Sequence, residues 1–166
     1  LDPELVALRR LLYCGEWIHS HALHIYMLHA PDFLGAPDIM TVARDHREAV
    51  ERGLALKKAG NRLLEFVGGR SIHPVNVRLG GFYSVPTTAD LVPIVEELRL
   101  ALDHALATVE WVAGFDFPEL AVEHELLALT GEAPTGDRYP LEDGRIIRSD
   151  GPAFSVAEFS EHVRET

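Results

Sequence analysis

The sequence holds a single cysteine, Cys14, and that scarcity sets the first limits. One thiol excludes an internal disulfide, fits a reducing compartment, and leaves no Cys-x-x-Cys pair to build a metal site. Positive charge is also short. Fifteen Lys and Arg stand against 26 Asp and Glu, a formal net charge of −11, which argues against a nucleic-acid backbone as partner. The acidic residues are spread along the chain, as on a solvated surface. No apolar run approaches the roughly 20 residues of a membrane span, and nothing at the start reads as a signal peptide. Nor is there a His-Glu-x-x-His, a Gly-x-Ser-x-Gly or a phosphate-cradling glycine fingerprint. An initiator methionine is missing ahead of Leu1-Asp2-Pro3, so the expectation is a segment of something longer or a trimmed or processed chain.

What is present reads as mainly α, turning α+β at the C-terminal end. With 166 residues, 47% apolar and 25% charged, the chain is long enough to bury one core. A helix is expected over residues 4–29, with Asp2 as N-cap and Pro3 in its first turn. Pro31 to Asp38 should break it, with a short helical turn near 39–44. A second long helix covers 45–67, with Gly53 and Gly60 on one side for close approach and Gly68 as its C′ stop. A third covers 88–113 behind a Thr87/Asp90 capping box, and Gly114 stops it. These three would pack as an antiparallel core over residues 1–114. Residues 115–166 would be an α+β appendage of the same single domain, with a β-hairpin around Asp143-Gly144 and a short helix capped by Ser155 and Glu158.

The chemistry-bearing candidates are histidines. Two glycine pairs, Gly68-Gly69 and Gly80-Gly81, bracket a packed loop carrying Arg70, His73, Pro74 and Arg78. Pro74 biases His73 toward extended geometry; the plainer reading is a connecting loop with His73 bonded to backbone. In the first helix, His21 and His24 share a line with Cys14, Trp17 and Leu28. Each could bond a buried carbonyl or carboxylate, or share a ligand. Glu16 and His19 have the Glu-x-x-His spacing of di-iron bundles, but His46 and His104 follow Ala43 and Ala101, so the partner pair is missing. The spacing therefore supports no metal ligands.

The combined stretches go further. Leu11-Leu12-Tyr13-Cys14-Gly15-Glu16-Trp17-Ile18-His19-Ser20-His21-Ala22-Leu23-His24 with Pro31-Asp32-Phe33-Leu34-Gly35 resembles the large, nickel-binding subunit of nickel-iron hydrogenases. So do Gly60-Asn61, Gly68-Gly69-Arg70-Ser71-Ile72-His73-Pro74-Val75-Asn76, Gly80-Gly81-Phe82, Tyr139-Pro140-Leu141 through Arg145, and Ser149-Asp150-Gly151. The likeness is nearest to the cytosolic, multimeric branch coupled to a pyridine nucleotide or a deazaflavin. It implies a cytoplasmic protein with the fold of the middle of that subunit. The implied partners are the rest of the large subunit and a small subunit carrying iron-sulfur clusters. The parent reaction would be reversible oxidation of dihydrogen.

The family's four nickel-ligand cysteines have no counterpart here, since Cys14 matches none of those positions. The resemblance therefore implies no cofactor in this segment, a nickel-iron centre in the parent subunit, no catalytic residue among these 166, and inactivity alone. It gives His73, with Arg70 beside it, a place at the electron-transfer interface. It gives His21 and His24 a core hydrogen-bonding role or a proton relay. The alternative is a non-catalytic relative, akin to the quinone-site subunit of respiratory complex I or to a partner-binding protein derived from this fold. Ile72-His73-Pro74-Val75-Asn76 favours the hydrogenase side.

Overall fold

A computed structural model describes residues 2–131 and 144–164. It divides into two compact units, Leu1–Phe117 and Pro118–Thr166.

In the first unit α1 (Pro3–Leu23) begins as its sequence dictates: the Asp2 carboxylate accepts from the Glu4 N–H at 2.9 Å and Pro3 takes the first turn. At His24 the helix does not stop. It loosens into a π-turn, His24–His29, and regains α geometry in α2 (Ala30–Phe33). The stretch Pro31 to Asp38 was expected to break the helix, and it does so past Pro31, which is itself taken into α2. The break falls at Leu34 and Gly35, whose φ is 63°. The short helix α3 (Ile39–Asp45) is capped by Asp38, whose carboxylate accepts from the Thr41 N–H at 2.8 Å.

The central helix is α4 (Arg47–Gly68). Gly68 is its last helical residue, not the C′ stop. Gly69 takes the left-handed conformation instead, at φ 84°, because Gly68 is needed inside the helix end: a Cβ there would lie 2.8 Å from Pro74 and 3.1 Å from Leu12. Along α1 against α4 the neighbours run Leu12 with Gly68, Gly15 with Leu64, His19 with Gly60, and Tyr26 with Gly53. One number rises as the other falls, so the two helices are antiparallel. The third long helix, α5 (Thr88–Ala113), spans the residues its pattern predicts. It runs antiparallel to α4, as Arg62 facing Glu97 and Arg52 over Trp111 require. Leu8, Leu63, Val67, Phe82 and Ile94 form one buried cluster, and Ala22, Tyr26, Ala49, Leu56 and Ala101 another. Between α4 and α5 lies a two-stranded ribbon, β1 (Val77–Arg78) paired with β2 (Gly81–Phe82).

The second unit holds an antiparallel sheet in the order β3 (Leu127–Thr130), β4 (Arg145–Arg148), β5 (Phe154–Ser155). The strand after Gly144 forms where expected. Its described partners are β3, with Leu127 opposite Arg148, and β5. The other arm expected for the hairpin, 139–143, lies outside the described residues. Ser155 and Glu158 form the expected capping box over a 3₁₀ turn that leads into α6 (Phe159–His162).

The capping box at α5 makes a pH prediction. Asp90 accepts from the Thr87 N–H at 2.8 Å and from its hydroxyl at 2.6 Å. Those bonds hold its carboxyl below the usual carboxylate range, side-chain bond first, backbone bond second. A lowered folded pKa means the contribution is present above the unfolded value and lost as pH falls through the folded one. Protection of amides in the first turn of α5, taken relative to their intrinsic exchange rates, is therefore expected to fall selectively below about pH 4. In Asp90→Asn that acid-dependent loss of protection should be absent. Thr87→Ala should cost about 1 kcal/mol at neutral pH, read by denaturant unfolding.

Candidate functional site

The loop after α4 is built around one side chain, Asn76. Its amide nitrogen donates to the Val67 carbonyl at 2.8 Å and to the Ser84 carbonyl at 2.7 Å. Its carbonyl oxygen accepts from the Ser84 N–H at 2.9 Å. The backbone N–H groups of Val75 and Asn76 both donate to the Gly68 carbonyl at 2.9 Å, and the Tyr83 N–H donates to the Asn76 carbonyl at 2.9 Å. The helix end, the loop and the ribbon are thus pinned by a residue that hydrophobic periodicity does not mark. Phe82, buried in the core beside Leu8 and Ile94, anchors the returning strand.

The pinned loop presents Ile72, His73, Val75, Val77, Leu79 and Tyr83 outward. Leu79 at the ribbon tip has no cover at all. His73 has φ 51°, left-handed backbone that a non-glycine residue adopts only when its surroundings impose it. Arg70 is part of what imposes it: its Nε donates to the His73 carbonyl at 2.7 Å. The extended geometry expected from Pro74 is thus overridden, and the imidazole is exposed. Arg78 lies over the Tyr83 ring at 5.7 Å. Behind the loop a cavity of ≈ 460 Å³ is lined by Arg62, Phe66, Asn76, Ser84, Asp90 and Pro93 among others.

The other histidines lie elsewhere. Leu12, near the start of α1, faces Gly68 and the loop, whereas Tyr26 faces Gly53 on the first half of α4. His21 and His24, within about a turn and a half of Tyr26, are therefore toward the far end of the helical layer from His73. Both are exposed. The π-turn sets the His24 ring 4.2 Å from the His29 ring, a partner that α-helical spacing does not suggest. His19 is half-buried, with its Nδ1 enclosed and unpartnered, and Glu16 points to solvent. Cys14 is half-buried and packs on the Leu8–Leu63 cluster. Among the described residues no three His, Cys, Asp or Glu side chains converge to hold a metal ion. No helix among them is long and apolar enough to cross a membrane.

No family model matches the chain. Individual proteins do. It is 34% identical over 163 residues to the alpha subunit of sulfhydrogenase 1 from Pyrococcus furiosus, covering 98% of this chain and 37% of that one. With the alpha subunit of sulfhydrogenase 2 from the same organism it shares 42% identity over 104 residues, covering 62% of this chain and 25% of that protein. Its backbone superposes, with a TM-score of 0.77, on a chain in the crystal structure of an NAD+-reducing NiFe-hydrogenase in its hydrogen-reduced state. That match covers 94% of this chain and 38% of the other, and at 21% identity it is a likeness of fold. The chain spans between a quarter and little more than a third of these relatives' length.

Proposed function

We propose, from the premise that the homologues of this chain are hydrogenase alpha subunits, that it is the central portion of a nickel-dependent hydrogenase large subunit. The parent reaction is reversible oxidation of dihydrogen, with electrons passed to an iron-sulfur small subunit in a cytoplasmic complex. The alignment with the sulfhydrogenase 1 alpha subunit along 98% of the chain carries this reading. A nickel-iron centre does not fit these residues. Their one thiol is packed on the helical core, and no cluster of ligands stands beside it among the described residues. The centre is assigned to parts of the large subunit outside this sequence, and the segment alone is inactive.

What the chain supplies is scaffold and surface. The loop pinned by Asn76 holds an exposed imidazole and two guanidinium groups on an otherwise acidic chain. This is the face for the small subunit, with His73 at the electron-transfer interface and Arg70 fixing its backbone. A positioned N–H or cation near a cluster shifts the cluster's potential. His21 and His24 hydrogen-bond to the remainder of the large subunit or relay protons there. The hydrogenase-derived but non-catalytic alternative draws on one observation, a lone thiol that is half-buried against the core.

The test is His73→Asn in the assembled hydrogenase, since asparagine tolerates left-handed backbone and removes the imidazole. Hydrogen-dependent dye reduction should fall several-fold while nickel content stays near wild type. Equal loss of nickel and activity would reduce His73 to a residue that only supports the fold.

A further inference from the structure

A helix end leaves its last carbonyls without partners inside the helix, and at the end of α4 the following loop supplies them. The Gly68 carbonyl accepts from the Val75 and Asn76 N–H groups. The carbonyl of Val67, a fully buried residue, accepts from the Asn76 side-chain nitrogen. The chain therefore leaves α4 at Gly69 and is brought back to the same helix end at Asn76. Two further bonds of the Asn76 side chain, one donated and one accepted, tie that point to the backbone of Ser84. His73 lies inside the closed loop. Next to it Pro74 packs on Gly68, where a Cβ would lie 2.8 Å from the Pro74 Cβ. A residue before proline prefers extended backbone, yet His73 is held at φ 51°. Arg70 bonds the His73 carbonyl, but Arg70 is exposed on the same loop and would move with it. Asn76, half-buried, is the side chain that ties the loop to the buried end of α4.

We propose that Asn76 is a positioning residue for electron transfer, acting through His73 by fixing where the imidazole stands. The proposal rests on the reading of this loop as the electron-transfer face. An amide is the group the place requires, since its nitrogen gives two donors for the Val67 and Ser84 carbonyls while its oxygen receives the Ser84 N–H. With the amide gone, the Val67 carbonyl loses its partner and the loop is free to let His73 relax toward the extended backbone that Pro74 favours. A group that must meet its partner in fixed geometry loses its effect steeply when displaced by about 1 Å. The helical core has its own buried clusters, so the clasp can open without unfolding it.

The experiment compares Asn76→Ala, Asn76→Asp, His73→Asn and the double variant Asn76→Ala/His73→Asn, each in the assembled hydrogenase. The aspartate keeps the shape and the acceptor but has no donor for Val67 or Ser84. Nickel content is measured, with isotope exchange between deuterium gas and water, which sends no electron out of the large subunit. Hydrogen-dependent dye reduction, which does, is measured beside them. Each single variant is expected to lose dye reduction several-fold, with nickel and isotope exchange near wild type. In the Asn76 variants amide protection should fall over residues 69–76 and persist along α4. The double variant should lose no more than His73→Asn alone, because nothing is left to position. Parallel loss of nickel, isotope exchange and dye reduction in both Asn76 variants would overturn the proposal, and so would a further loss in the double variant. Unchanged dye reduction in both Asn76 variants, with a loss in His73→Asn, overturns the positioning role alone. No loss in His73→Asn overturns the interface reading together with it.

Discussion

Gly60→Ala is expected to destabilise the helical unit by about 2–3 kcal/mol, net of the roughly 1 kcal/mol that alanine gains over glycine in a helix. A Cβ at Gly60 would lie 2.5 Å from the His19 nitrogen, 2.8 Å from the Gly15 carbonyl oxygen and 2.9 Å from the His19 Cα. All three are backbone atoms of α1, so no rotamer change relieves the clash. The helices must part, and the Leu8–Leu63 and Tyr26–Leu56 clusters on either side of the crossing loosen with them. Urea unfolding measures the loss. Gly114→Ala is the control: its Cβ would meet nothing nearer than the Trp111 carbonyl at 3.4 Å, at an ordinary φ of −85°. Equal midpoints for the two variants would mean that α1 and α4 do not cross at Gly60.

Tyr26→Ala is expected to cost about 3–5 kcal/mol, and Tyr26→Phe about 1–2 kcal/mol. Tyr26 is fully buried in the π-turn. Its ring fills the notch left by Gly53, where a Cβ would lie 2.4 Å away, and stacks on Trp111 at 5.3 Å. Its hydroxyl meets the Thr108 hydroxyl at 2.7 Å and accepts from the Arg52 Nε at 3.0 Å. The alanine variant loses ring and bonds together. The phenylalanine variant loses the bonds alone, and Thr108 keeps its bond to the His104 carbonyl. Near-UV circular dichroism of Trp111 should therefore collapse in the first and persist in the second. Equal cost in both would show that the buried ring contributes nothing beyond its hydroxyl.

The elements written in local sequence were legible. Apolar steps of three and four placed three helices, and Asp2, Thr87 with Asp90, and Ser155 with Glu158 marked where helices start, because a cap bonds within its own turn. The π-turn was not legible, since Tyr26 is drawn into place by Gly53 and Trp111, distant along the chain. The same holds for Asn76, whose bonds reach back to Val67 and forward to Ser84, and for the pairing of β4 with β3, which begins at Leu127. Periodicity put His21 and His24 on one line with Trp17 but could not say what covers that line. In this chain they face solvent. Leu102 and Val109 pose the same problem: apolar at helical spacing, they too are exposed.

The central proposal is that this chain is part of a nickel-dependent hydrogenase large subunit. The most direct test is to purify the complex that carries it from its source, quantify nickel by mass spectrometry, and follow hydrogen-dependent reduction of a viologen dye. Nickel co-purifying with the polypeptide that contains residues 1–166, together with hydrogen oxidation, is the result expected. A stable complex with neither nickel nor hydrogen oxidation would contradict the account.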